Sequence, residues 1–122
     1  MKDGLSAFQI LLLAGYALGM VGGQMLFKLA ALRLPAEAGV ATRLASLVQN
    51  GWFVAAVLLY GVLSVFWVWV LTFTPLSRAY PFVALAFAVT PLVAALAFSE
   101  PLSLRLVLGI LVIAGGLVLV AG

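Results

Sequence analysis

The chain contains no cysteine and no histidine, and its 122 residues include only three carboxylates, Asp3, Glu37 and Glu100. Without cysteine there are no disulfides, thiolate metal sites or cysteine nucleophiles. Without histidine the usual general base and the commonest metal ligand are gone. None of the three carboxylates falls inside a long apolar run, so paired-carboxylate chemistry and metal clusters have no material. No enzymatic role, no metal and no cofactor is expected. Charge of either sign is scarce. Charged residues make up 7% of the chain, against about 25% in a soluble domain.

What is present instead is hydrocarbon. Residues 4–27, 44–77, 79–99 and 106–122 carry no charge at all. A helical crossing of a bilayer needs roughly 20 apolar residues, so the pattern predicts an all-α membrane protein. It is read as a single four-helix transmembrane domain, 1–122, with spans at about 5–32, 50–73, 78–98 and 104–120. Backbone groups in lipid must be satisfied within the segment, which makes each span a helix. The short alternating segments of a β-barrel are absent. Lys2 ahead of an apolar run, with Ala36-Glu37-Ala38 beyond it, imitates a signal peptide. The run is far longer than the ~7–15 residues of a true leader, so it is read as the first span. Residues 35–43 are expected to be the longest loop, and the start of the 44–77 run an interfacial turn of helix. The connections at 74–77 and 99–103 are short, so spans 2, 3 and 4 run antiparallel, each beside its predecessor.

The net charge of +3 comes from Lys2, Lys28, Arg33, Arg43, Arg78 and Arg105, all near span ends. Anchoring to lipid headgroups is the simplest account of each, and no nucleic acid partner is expected. The distribution favours the 1–2 and 3–4 loops in the cytoplasm only weakly, so a dual orientation stays open. Small residues mark two helix faces. Gly15, Gly19 and Gly23 recur every four residues in span 1, widened by Ala7, Ala14 and Gly22. Gly109 and Gly116 lie two turns apart in span 4, with Gly115 adjacent. Such stripes let a second backbone approach where water cannot drive association. They are expected to serve internal packing, a partner chain, or one of each.

Polar groups at membrane depth are functional candidates by default. Gln24 and Lys28, four residues apart, share a face of span 1. Lys28 either snorkels to the interface or meets an anionic headgroup in a cleft, and Gln24, one turn deeper, needs a partner of its own. Around the 2–3 turn stand Pro75, Ser77, Arg78, Tyr80 and Pro81. Arg78 reads as a headgroup anchor and Tyr80 as an interfacial aromatic, unless both line a central path. Trp67 and Trp69 are close enough to the turn for a belt role, with Trp52 at the other end of the span. Pro91, in the middle of span 3, is expected to kink or loosen it. Glu100 is expected to cap the start of span 4, where the positive end of the helix favours an anion, or to pair with Arg105 or with a partner's basic group.

These residues resemble a known family. Gly-Gly-Gln-Met-Leu-Phe-Lys at 22–28, Trp67 eight residues before Pro75, Arg78-Ala79-Tyr80-Pro81, Ser99-Glu100-Pro101-Leu102-Ser103 and the Gly109…Gly116 pair are similar to short members of the drug/metabolite transporter superfamily. The small multidrug resistance proteins in it share several of these features, but their essential glutamate of span 1 would fall on Met20 here. The chain more closely resembles the four-span subunits that flip 4-amino-4-deoxy-L-arabinose linked to undecaprenyl phosphate, departing from them at Arg78. That resemblance implies a multi-pass protein of the bacterial inner membrane. It further implies a homodimer, or a heterodimer with a paralogous four-helix subunit, that is expected to flip a lipid-linked anionic headgroup past Gln24, Lys28, Arg78, Tyr80 and Glu100. Two other readings stand beside it: an exporter of small metabolites or cationic drugs, and a non-transporting subunit of a lipid-modifying complex.

Overall fold

The computed structural model describes residues 5–121; the expected anchor Lys2 and the carboxylate Asp3 lie outside that range. Helix α1, Ala7–Leu32, starts at a reciprocal cap. The Ser6 hydroxyl accepts from the Gln9 N–H at 3.1 Å, and the Gln9 side-chain carbonyl accepts from the Ser6 N–H at 2.9 Å. Two of the donors orphaned at a helix start are thereby satisfied. Its 26 residues rise about 39 Å, enough to cross a ~30 Å hydrocarbon layer with some tilt. The helix stops at Arg33, two residues before Pro35.

Residues 35–43 are not loop throughout. Helix α2 already begins at Val40 and runs to Ser46, and a 3-10 turn, Leu47–Gln49, continues it to Asn50. No proline or glycine interrupts residues 40–50, and Val40 and Leu44 sit one turn apart, both exposed, as does Val48. The apolar side of this short element has no protein to cover it, so it suits the bilayer surface. A turn of helix is present where one is expected, and it starts four residues earlier.

Helix α3, Gly51–Leu71, is capped by the Asn50 carboxamide, which accepts from the Trp52 and Phe53 N–H groups. It ends two residues short of the expected boundary. There the Thr72 hydroxyl donates to the Trp69 carbonyl at 2.6 Å, and a turn leads into Pro75. The third span, Leu76–Phe98, is built in three pieces: α4, Leu76–Ala79, a 3-10 turn, Tyr80–Phe82, and α5, Val83–Phe98. Pro81 has no N–H to give an α-helical ladder, and the tighter turn forms around it. Pro91 lies inside α5, which continues past it to Phe98. Ser99 then adopts the left-handed conformation, φ 55°, reversing the chain at an energetic cost of about 1–2 kcal/mol for an L-residue. Helix α6, Leu104–Ala121, is capped by Ser103, whose hydroxyl accepts from the Leu106 N–H at 3.0 Å.

Four helices are long and apolar enough to cross a membrane, and no strand occurs among the described residues. The protein is an all-α, multi-pass membrane bundle. α1 is its axis and packs along both α3 and α5, while α6 packs on α5 and on the Tyr80–Phe82 turn; contrary to expectation, the third span does not pack along the second, because α1 takes the place between them. Small buried residues set the close approach: Ala17 and Ala30 on α1, Ala56 on α3, Ala86 and Ala88 on α5. A tighter core of Leu13, Val70, Ala79 and Phe82 closes the end of the bundle where α1 begins.

Candidate functional site

The middle of the bundle carries a cleft of about 340 Å³ between α1 and α5, lined by Met20, Gln24, Ala86, Phe87, Thr90 and Pro91. Its polar wall is Gln24, whose amide does not stand alone. Gln24 Nε2 donates to the Tyr60 hydroxyl at 2.8 Å, and that hydroxyl donates to the Met20 carbonyl at 3.1 Å. A side-chain amide at this depth would lose its hydration with nothing in return, so the tyrosine across the α1–α3 interface supplies the missing partner. The Tyr60 ring stacks on Phe27 with centroids 5.3 Å apart. It fits only because residue 23 is glycine, since a Cβ there would run into the ring. Gly19 plays the same part for Leu63, whose Cδ2 would lie 2.9 Å from a Cβ at that position.

One turn beyond Gln24, about 6 Å along the axis, Lys28 Nζ lies 3.3 Å from Glu100 Oε2. The pair joins the last turns of α1 to the α5–α6 turn. Glu100 thus does not cap α6; Ser103 does, and the left-handed Ser99 swings the carboxylate across to α1. Arg105 takes no part in this pair. Each side chain is 43% exposed, so the pair is reachable from outside. Exposed pairs typically contribute no more than about 1 kcal/mol, so exchange with an external ion is not prohibitive.

Arg78 and Tyr80 are not brought to this place. Arg78 Nη1 reaches the Val120 carbonyl at 3.5 Å, in the last turn of α6, where a cation complements the helix dipole. Tyr80 is 62% exposed. The length of the third span separates them from Glu100, about 30 Å. Within the chain the five sequence candidates fall into two groups, Gln24, Lys28 and Glu100 toward one end and Arg78 with Tyr80 at the other.

The aromatic residues divide differently from expectation as well. Trp67 is half-buried and stacks on Tyr16 at 4.7 Å, beside the core. Trp69 faces outward and meets Phe73 edge-on at 5.1 Å, so of the two it alone suits an interfacial belt. Sequence reasoning passed over Gln9, whose amide donates to the Phe73 carbonyl at 3.0 Å and the Thr74 hydroxyl at 3.2 Å, pinning the 2–3 turn. It also passed over Tyr60. A depth count would have found Tyr60: it lies nine residues into α3 and Gln24 lies eight residues before the end of α1, so the antiparallel pair meets at one level.

The two glycine stripes separate. Gly19 and Gly23 are consumed by α1–α3 packing, whereas Gly15, Gly109, Gly115 and Gly116 have no atom within 4 Å of a Cβ position. α6 buries only Ile110 within the chain and presents Leu108, Leu111, Val112, Val118 and Leu119 outward.

No family model matches the chain, and no solved structure matches it. Two curated relatives do. The chain is 36% identical over 72 residues to the probable 4-amino-4-deoxy-L-arabinose-phosphoundecaprenol flippase subunit ArnE of Enterobacter sp. (strain 638), covering 59% of this chain and 67% of that protein. It is 38% identical over 65 residues to the probable flippase subunit of the same name from Sodalis glossinidius (strain morsitans), covering 53% of this chain and 59% of the relative.

Proposed function

Because this chain belongs to the family of 4-amino-4-deoxy-L-arabinose-phosphoundecaprenol flippase subunits, we propose that it is a subunit of an inner-membrane transporter that flips a lipid-linked, phosphate-bearing amino sugar. The observation that carries the reading is the Lys28–Glu100 pair standing one turn from the Gln24 cleft. An amino-sugar phosphate carries both signs, an anionic phosphodiester and a cationic amine. Lys28 exchanges Glu100 for the phosphate, Glu100 exchanges Lys28 for the amine, and Gln24 offers its amide one turn deeper. Trading one ion pair for two spares the protein an unpaired charge in low dielectric. The apolar side of the cleft, Met20, Phe87 and Pro91, leaves the polyprenyl tail in hydrocarbon.

The spans themselves contain no carboxylate, which deprives a proton-coupled exporter of cations of its titrating group. A lipid that carries its own countercharge needs none. The open face of α6, with Gly109 and Gly116, serves a second four-span subunit, either another copy or a paralogue. Arg78 and Tyr80 then belong to the opposite mouth of the path, or to the partner's half of it.

Flipping in proteoliposomes, read by the accessibility of the sugar amine to a membrane-impermeant amine reagent, tests the proposal. Lys28→Ala is expected to slow flipping by about tenfold, the effect of losing ~1.4 kcal/mol of interaction, and Lys28→Arg to retain most of it. The reversed pair, Lys28→Glu with Glu100→Lys, keeps an ion pair but is expected to stay slow, because the polarity facing the headgroup is inverted. Wild-type rates in the reversed pair would leave the two residues as a mere brace and overturn the assignment.

A further inference from the structure

A second cavity is larger than the cleft. It is a hollow of about 570 Å³ at the other flank of α1, where the helix ends and the α2–α3 elbow folds back beside it. Arg33, Ser46, Gln49, Asn50, Gly51, Trp52 and Ala55 line it, and it shares no residue with the Gln24 cleft.

The chemistry of this lining is one-sided. Asn50 is fully committed: its carbonyl caps α3, and its Nδ2 donates to the Ala30 carbonyl at 2.9 Å, fixing the elbow to α1. Ser46 donates to the Arg43 carbonyl. The groups left over are the Arg33 guanidinium, the Gln49 amide and the Trp52 indole N–H, none of which has a partner among the described residues. The lining contains no carboxylate. Glu37, the acid of the neighbouring loop, makes no ion pair with Arg33 or Arg43 among the described residues. A second hollow adjoins α2, and its Arg43 has a buried Nε without an acceptor. A cluster of unfilled donors around an arginine fork is built for an oxyanion, and phosphate suits the fork's geometry.

The surroundings specify the source of that phosphate. The hollow lies at the level where the spans end, beside the half-exposed Trp52, an indole at its preferred depth. One and two turns further along α3 from Ala55, Leu58 and Val62 are exposed and lead into the hydrocarbon. Val40, Leu44 and Val48 of the elbow present apolar surface to the same layer. We propose that the elbow binds the phosphodiester of an anionic bilayer phospholipid, with its acyl chains lying along α3. This site is separate from the translocation cleft and does not depend on what the cleft carries.

The test uses the full-length protein in proteoliposomes with spin-labelled phosphatidylglycerol or phosphatidylcholine, reading the motionally restricted lipid fraction by electron paramagnetic resonance. The wild type is expected to prefer phosphatidylglycerol by about fivefold, as one basic group near the surface gives. Arg33→Gln and Gln49→Leu are expected to bring the ratio close to one. Arg105→Gln, an exposed arginine at the same end but outside the hollow, is expected to keep it. Absence of any preference in the wild type overturns the site, and so does an equal loss in Arg105→Gln. Displacement of the restricted lipid by inorganic phosphate, at matched ionic strength, overturns the lipid as the occupant. Because Arg33 is exposed and makes no contact that the fold needs, Arg33→Gln keeps its helical circular dichroism.

Discussion

On α1, Gly19 and Gly23 lie against Leu63 and Tyr60 of α3, whereas on α6, Gly109, Gly115 and Gly116 meet nothing. The same residue type, at similar helical spacing, makes a seam in one helix and an empty face in the other. The difference lies in what stands opposite. Lipid tails are as apolar as leucine, so a small residue gains nothing by itself; it contributes only when a ring or backbone enters the space. α3 sends in a tyrosine that also satisfies Gln24, and so the α1–α3 hairpin is closed within one chain. α6 buries only Ile110 and meets no such surface within the chain, which is the ground on which the proposal seats a second subunit there.

The largest expected effect separates these two roles. Gly23→Ala places a methyl in the Tyr60 ring and forces the ring, and with it the Gln24 hydrogen bond, to move. Overpacking of this kind typically destabilises by about 1–3 kcal/mol, measured as unfolding of the purified protein in mixed detergent micelles. Gly116→Ala is expected to leave that unfolding curve unchanged and to weaken subunit association instead, read by single-molecule photobleaching in sparse liposomes. Equal destabilisation by both substitutions would erase the distinction between the two faces.

A second comparison sharpens the hairpin's own anatomy. Asn50 does three things at once at the elbow, capping two N–H groups of α3 and holding the Ala30 carbonyl of α1. Asn50→Ala is expected to lose about 1 kcal/mol from the cap and to raise hydrogen exchange at Trp52 and Phe53 while α6 amides stay protected. Asn50→Ser, which restores the cap but not the reach to Ala30, is expected to recover only the α3 amides.

Much of this was legible beforehand, because the bilayer imposes it. Long uncharged runs have one solution in lipid, so the four helices and their order followed from residues 4–27, 44–77, 79–99 and 106–122, whereas short connections misled on neighbours, since the third span packs on α1 and not along the second. Boundaries shifted by two residues where side chains decided them, at Ser6 with Gln9 and at Thr72, while Asn50 and Ser103 cap starts that lie where hydropathy put them. The site was less legible. Gln24 and Lys28 stood out as polar groups at depth, but their partners sit far away in sequence. At Glu100 the sequence offers a cap or a pair with Arg105 or a partner's basic group, and beyond the left-handed Ser99 the carboxylate meets Lys28 instead. Trp67 and Trp69 are two residues apart and so lie on nearly opposite sides of α3; their distance from the turn is alike, and only packing tells which is inside.

The smallest expected effect tests the tyrosine that hydropathy concealed. Tyr60→Phe keeps the ring that Gly23 accommodates and the stack on Phe27, and deletes only the hydroxyl between Gln24 and the Met20 carbonyl. Hydrogen bonds between membrane helices average about 0.6 kcal/mol, so the unfolding midpoint is expected to move far less than for Gly23→Ala. The amide of Gln24 is then released into the cleft. If Gln24 contacts the headgroup, its release strengthens that contact, and the substrate concentration for half-maximal flipping falls in Tyr60→Phe while it rises in Gln24→Leu. A large stability loss in Tyr60→Phe with no change in that concentration would make the Gln24–Tyr60 bond a structural rivet and move the headgroup away from the cleft.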